Sequence, residues 1–124
     1  TVFTPPGAPA LRAWTQDGAG RLWVSTRHPG GMARFDPADP LGTWHHLTGP
    51  AFAAPDGNAL GADGAVWVVD SEHNALVRID PVSGEVGTVP DPALDAPFDL
   101  KPGPGSTLWF TNRGTPTIGR IRLG

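Results

Sequence analysis

An apolar dipeptide ending in Trp occurs three times, as Leu22-Trp23, Val66-Trp67 and Leu108-Trp109, at intervals of 44 and 42 residues. Each copy follows a Gly-containing turn (Asp17-Gly18-Ala19-Gly20, Ala62-Asp63-Gly64, Pro104-Gly105-Ser106) and opens a short apolar run. A second shared segment comes shortly afterwards: Ala33-Arg34-Phe35-Asp36-Pro37, Val77-Arg78-Ile79-Asp80-Pro81 and Gly119-Arg120-Ile121-Arg122. A unit of several short strands recurring every roughly 40–45 residues is the pattern of a β-propeller blade.

The chain carries 17 Gly and 15 Pro among its 124 residues, a level that points to low complexity when it has no period. Here both residues fall between the apolar runs, where the chain must turn. No window long enough for a helix keeps a 3.6-residue apolar period free of these breakers. The expectation is therefore an all-β propeller, a single three-blade unit over 1–124 with four strands per blade. Strands are expected at 11–14, 21–26, 32–35 and 43–47 (blade 1, 9–47) and at 57–60, 65–70, 75–79 and 86–89 (blade 2, 55–89). Blade 3, over 97–124, takes strands at 98–101, 107–112 and 117–122.

Blade 3 so read lacks its outermost strand. Residues 1–6, Thr1-Val2-Phe3-Thr4-Pro5-Pro6, resemble Gly87-Thr88-Val89-Pro90-Asp91-Pro92 and His46-Leu47-Thr48-Gly49-Pro50, each a fourth strand leading into the next blade. They read as the missing strand, with the three repeats in circular register. Propellers close with about four to eight blades. Three would splay well beyond the ~10 Å at which sheets pack and leave apolar faces and a bare strand edge in water. The expected partner is a second copy, Thr1–Thr4 of one chain finishing blade 3 of its neighbour: six blades as a homodimer, favoured, or nine as a homotrimer. A fragment of a longer propeller, or an engineered assembly module with no ligand, would show the same pattern.

The segments Asp63-Gly64-Ala65-Val66-Trp67 with Asn74-Ala75-Leu76-Val77-Arg78-Ile79-Asp80, and Leu108-Trp109-Phe110-Thr111-Asn112 with Ile118-Gly119-Arg120-Ile121, resemble the repeat of the streptogramin B lyase (virginiamycin B lyase) family. These are seven-bladed propellers related to the NHL and SMP-30/gluconolactonase groups. The resemblance implies ring opening of a cyclic depsipeptide by Mg²⁺ held on Glu residues, with a His base near the central channel. The family's Phe-Thr-Glu ending reads Ser25-Thr26, Val69-Asp70 and Thr111-Asn112 here, so only Asp70 keeps a carboxylate. A divalent ion wants several oxygen donors.

In a propeller the loops after the second strands open on one mouth. That gathers Thr26-Arg27-His28, Asp70-Ser71-Glu72-His73 and Asn112-Arg113, with Arg12, Asp56, Asn58 and Asp99 beside them. Such a crown suits a small polar or peptidic ligand held by bidentate Arg contacts. The ligand-binding candidates are Arg12, Trp14, Arg27, Asn58, Asp99, Asn112 and Arg113; Trp14, whose counterparts are Asn58 and Leu100, is expected to project into the channel. Under the lyase reading Asp70 and Glu72 become Mg²⁺ ligands and His28 or His73 the base. Asp and Asn at strand ends also bond nearby backbone, which gives Asp70 and Asn112 a structural reading. Trp23, Trp67 and Trp109 read as equivalent wedges between blades.

Other classes are excluded. A net charge of −3 without a Lys/Arg cluster leaves no footprint for nucleic acid or a charged membrane, and the apolar runs are too short for a spanning helix. The absence of cysteine rules out disulfides and leaves the redox compartment unread. No Gly-x-Ser-x-Gly, P-loop, zinc or dinucleotide motif is present. The default compartment is cytoplasmic, although a chain starting without Met is also what signal-peptide removal leaves. The function expected is a self-assembling scaffold with a polar ligand at the channel mouth and no cofactor; the alternative is a Mg²⁺-assisted lyase or hydrolase.

Overall fold

Val66-Trp67-Val68-Val69-Asp70 is buried at every position. A strand whose successive side chains alternate between two covered faces must be apolar throughout, so its sheet has a neighbour on each side. The computed structural model describes residues 1–123; Gly124, the last residue of the third repeat, lies outside the described residues. The described chain contains three antiparallel sheets and no helix. The first holds β1 (Ala10–Gln16), β2 (Leu22–Arg27), β3 (Gly31–Phe35) and β4 (His45–Thr48) in that order. The second repeats it with β5 (Pro55–Leu60), β6 (Val66–Asp70), β7 (Ala75–Ile79) and β8 (Val86–Pro90). The third has β9 (Pro97–Gly103), β10 (Thr107–Asn112) and β11 (Ile118–Arg122). These are propeller blades, and β1, β5 and β9 lie side by side as the innermost strands.

Two apolar layers join the blades. Trp23 and Met32 of the first sheet meet Val66, Val68, Val77 and Ile79 of the second, with Phe52 from the connecting loop. On the other face of the second sheet, Trp67, Val69 and Leu76 meet Leu108 and Phe110, with Ile121 against them. In each layer a Trp from one sheet enters the apolar face of the next. Its indole N–H is satisfied close by in the chain: Trp23 Nε1 donates to Asp17 (2.8 Å) and Trp67 Nε1 to Asp63 (3.1 Å) in the preceding turns, and Trp109 Nε1 to the hydroxyl of Thr107 (3.2 Å), which opens β10. The acceptor residue thus sets the ring orientation, and the ring sets the spacing between sheets.

Burial works to raise the Asp17 carboxyl, but bonds from Trp23 and from the Arg21 and Ala19 amides, with the Arg21 charge, outweigh it. The pKa is held below the ordinary 3.8. Asp63 is lowered in the same way, burial opposed by Trp67, the Ala65 amide and Arg78.

Each innermost strand carries a bulge at the same place. Leu11 and Trp14 pair with Thr26 and Val24, Pro55 and Asn58 with Asp70 and Val68, Pro97 and Leu100 with Asn112 and Phe110. Two residues therefore stand opposite one on the partner strand, the arrangement that re-aims side chains locally. The re-aimed residues are Arg12-Ala13, Asp56-Gly57 and Phe98-Asp99. At Gly57 the next sheet presses in: an added Cβ would stand 2.6 Å from the Leu100 nitrogen and 2.7 Å from the Phe98 oxygen. Only glycine fits.

Residues 1–9 form no strand within the single chain, yet the turn before β1 matches the inter-sheet turns. The Ala8 amide bonds Pro5 O (3.0 Å), as the Phe52 amide bonds Gly49 O (3.1 Å) before β5 and the Leu94 amide bonds Asp91 O (3.0 Å) before β9. Phe3 lies edge-on to Phe35, centroids 5.7 Å apart. Phe35 is the counterpart of Ile79, whose apolar layer receives Leu47 from the preceding sheet.

Trp23→Ala should lower stability by about 3–5 kcal/mol, the usual cost of emptying a buried aromatic site, measured by urea denaturation. The stability supplied by the Asp17 carboxylate is present above pH 3.8 and lost as pH falls through its lower folded pKa. Asp17→Asn should therefore destabilise at neutral pH by about 1–3 kcal/mol and flatten the acid limb of the stability profile below pH 4.

Candidate functional site

Because the bulges turn outward from their sheets at one level, their side chains meet in a cleft along the innermost strands. It has a volume of about 360 Å³ and is lined by Leu11, Arg12, Asp56, Phe98 and Asp99 with the backbone of Ala13 and Gly57. Asp56 is its hub. The residue is 2% exposed and draws in arginines from the repeats on either side, Arg12 and Arg27 from the first and Arg113 from the third. Arg12 Nε donates to Oδ1 at 3.1 Å and Arg27 Nη2 to Oδ2 at 2.7 Å, while Arg113 Nη2 stands 3.7 Å from Oδ2. Arg27 also donates from Nε to Pro55 O (3.2 Å). The Arg113 guanidinium lies over the Phe98 ring, 4.6 Å from its centroid, a cation–π contact that fixes an otherwise exposed side chain. Asp99 faces the same cleft, with Lys101 Nζ 3.8 Å away.

Asn58 sits beside the hub and works as a tie between sheets. Its Nδ2 donates to Ala13 O (2.9 Å) and approaches the Ser25 hydroxyl (3.4 Å) and Asp56 O (3.3 Å), while Oδ1 has no partner among the described residues. Ser25 Oγ in turn donates to Asp56 O (2.8 Å). Trp14 stands elsewhere. It packs opposite Val24 on the open face of the first sheet with Leu22, Phe35 and Trp44, 62% exposed. The bulge explains this: Trp14 is the residue after it, in the slot between sheets that Asn58 and Leu100 occupy, so the expected projection into the channel falls to Arg12 instead.

Asn112 lies apart from the cleft as well, accepting from the Asp95 amide (2.9 Å) and donating to Ala93 O (2.8 Å) and Thr117 Oγ1 (2.9 Å). Asp70, its counterpart, is fully buried and takes the Ala53 amide at 2.8 Å, the Ala54 amide on both oxygens at 3.2 Å, and the Glu72 and His73 amides at 3.2 and 3.0 Å. Both side chains hold the loop that enters the innermost strand against the turn after the second strand. His73 Nδ1 is 3.9 Å from Asp70 Oδ2. His28 occupies the β2–β3 turn with a left-handed backbone (φ 57).

The architecture and repeat find relatives among known proteins. Two structures of virginiamycin B lyase from Staphylococcus aureus, one a catalytically inactive form with quinupristin, superpose with TM-scores of 0.79 and 0.80 at 26% and 28% identity. Each match covers 91% of this chain and 38% of the lyase. These three sheets are part of a β-propeller similar to virginiamycin B lyase. A gluconolactonase from Zymomonas mobilis is 28% identical over 117 residues, 90% of this chain and 29% of its own length. The chain thus spans well under half of these relatives. No protein-family model matches it.

The Mg²⁺ donor set that the lyase resemblance implied does not fit these residues. Both oxygens of Asp70 are already taken up by backbone amides. Among the described residues no group of three or more His, Cys, Asp or Glu stands close enough to hold an ion. Sequence reasoning placed Arg12, Arg27, Arg113 and Asp99 near one mouth but missed that Asp56 gathers the arginines, and it missed Phe98. The signal lay in position: Asp56, Arg12 and Phe98 occupy the same place in the three repeats.

Asp70→Ala, which strands several loop amides, should cost about 1–3 kcal/mol or more, whereas Glu72→Gln should stay within about 0.5 kcal/mol. Thermal unfolding with and without millimolar Mg²⁺ should show the same midpoint for the native chain.

Proposed function

We propose that this chain is a self-assembling propeller scaffold whose copies join head to tail and whose channel mouth takes a small polar ligand. In this reading Thr1–Thr4 of one copy becomes the outer strand of the third sheet of the next. The observation that carries it is the turn before β1, closed by the same bond as the two turns that lead from an outer strand to an innermost one. Leu47 pairs with Met32 in the first sheet and Val89 with Leu76 in the second. Continuing that register sets Phe3 opposite Ile118 and Thr4 opposite Thr117, and buries Ile118, which is 64% exposed in the single chain.

The two open faces support the same reading. Trp109, Lys101 and Arg120 end one side, with the Arg120 guanidinium 5.7 Å from the indole centroid. Leu22, Val24 and Phe35 end the other. By repeat position, Trp109 against Leu22, Val24 and Phe35 reproduces Trp67 against Leu108, Phe110 and Ile121. Head-to-tail contacts of this kind close into rings when the rotation fits. Two copies give six blades, inside the common range; three give nine, the second choice. The lyase alternative has no donor set at Asp70 to carry it.

Light scattering should give twice the chain mass of 12.9 kDa, and Phe3→Asp should shift the population to monomer. A well-folded native monomer at micromolar concentration would overturn the assembly and leave the open faces to further blades of a longer chain.

A further inference from the structure

Of the eight arginines in a chain of net charge −3, three converge on one buried carboxylate in the cleft. Guanidinium groups stay charged at any physiological pH. Asp56 can neutralise only one of the three. Asp99 on the cleft wall offsets a second, with Lys101 3.8 Å from it outside the lining, so the cleft keeps an excess of one positive charge. Like charges held in a concave, partly desolvated place repel one another and focus their field on whatever enters. The donors are also underused. Arg12 reaches Asp56 through Nε alone, Arg27 through one Nη, and Arg113 stands beyond hydrogen-bond distance. Side-chain exposures of 39% for Arg12 and 52% for Arg113 leave their remaining N–H groups open to solvent.

We propose that this cleft is an anion site for a small organic dicarboxylate, its charges on Arg12, Arg27 and Arg113. Arginine forks match carboxylate oxygens in pairs, the two guanidinium groups that Asp56 leaves unneutralised can each face one carboxylate, and Leu11 with the Phe98 ring offers an apolar wall for the carbon skeleton. A volume of about 360 Å³ falls at the small end of ligand sites. Asp56 acts as a positioning residue: it holds the guanidinium groups within reach of one another before any ligand arrives. The inference rests on the channel mouth being a ligand site and names what binds there. Its residues all come from one chain, so it does not require the ring.

The test is isothermal titration of the intact chain with succinate, glutarate, inorganic phosphate and neutral gluconolactone, with light scattering on the same samples. The expected result is saturable binding of a dicarboxylate, weakened about tenfold or more by Arg12→Gln or Arg113→Gln, as loss of a charge-assisted bond would give, and partly restored by Arg113→Lys. Arg122→Gln, on β11 away from the cleft, should leave binding unchanged. Arg113, 52% exposed and 3.7 Å from Asp56, can be changed without moving the unfolding midpoint, whereas Arg12→Gln removes a bond to buried Asp56 and lowers it modestly, so Arg113→Gln decides the result. Binding of phosphate but not dicarboxylates overturns the ligand class. Binding of the lactone alone overturns the anion site while keeping a polar ligand, and flat titrations by an assembled ring overturn ligand binding but not assembly. Dicarboxylate binding by a monomer sinks the ring and leaves this site standing.

Discussion

A four-stranded sheet with two apolar faces cannot stand in water alone; each face must be closed by another sheet. In this chain the closure is made by a single Trp per interface, seated by a hydrogen bond inside its own turn and driven into the aliphatic face of the next repeat. Trp23 and Trp67 satisfy this demand within the chain. The demand does not end at the third sheet, where Trp109 is held by Thr107 with no sheet beyond it among the described residues, nor at the first, where Leu22, Val24 and Phe35 are left open. Burial of aromatic and aliphatic area on this scale is what chiefly drives both folding and association. One interaction thus builds the arc and leaves it wanting neighbours.

The same stacking makes the cleft. Sheets that pack face to face bring their innermost strands together, and the bulges on those strands turn one or two side chains away from the packed faces at each step. Gly57 marks how close the approach is, since the backbone of the next strand occupies the space of a Cβ. Only because the strands come this near can arginines from the first and third repeats reach one Asp56. Fold and site are therefore consequences of one spacing.

Much of the fold was legible. The second strands were placed within a residue of their ends because short continuous apolar runs bounded by Gly turns leave little freedom in their limits. The fourth strand of the first sheet starts at His45 rather than 43 because Asp36 and Asp39 organise the preceding turn: Thr43 Oγ1 accepts from the Asp36 amide and donates to Asp39 O. Side-chain bonds of that kind leave no periodic trace. The bulges were invisible for a related reason, since a bulge is a fact about pairing between strands. Missing them sent Trp14 to the channel on paper and left Arg12 and Asp56 without their common role. Asp70 and Asn112 show the reverse case: strand-end polar residues do bond backbone, and the structure supplies the partners.

The three bulges differ in one respect that bears on symmetry. Their second residues are Ala13, Gly57 and Asp99, and at Gly57 a hydrogen atom fills the gap to the adjoining strand. A carboxylate-bearing side chain cannot enter so narrow a space. At Asp99 the same repeat position carries a side chain that lines the cleft. The repeat is regular in sequence without being interchangeable at its inner edge: a Cβ is accommodated there in the first and third sheets and excluded in the second.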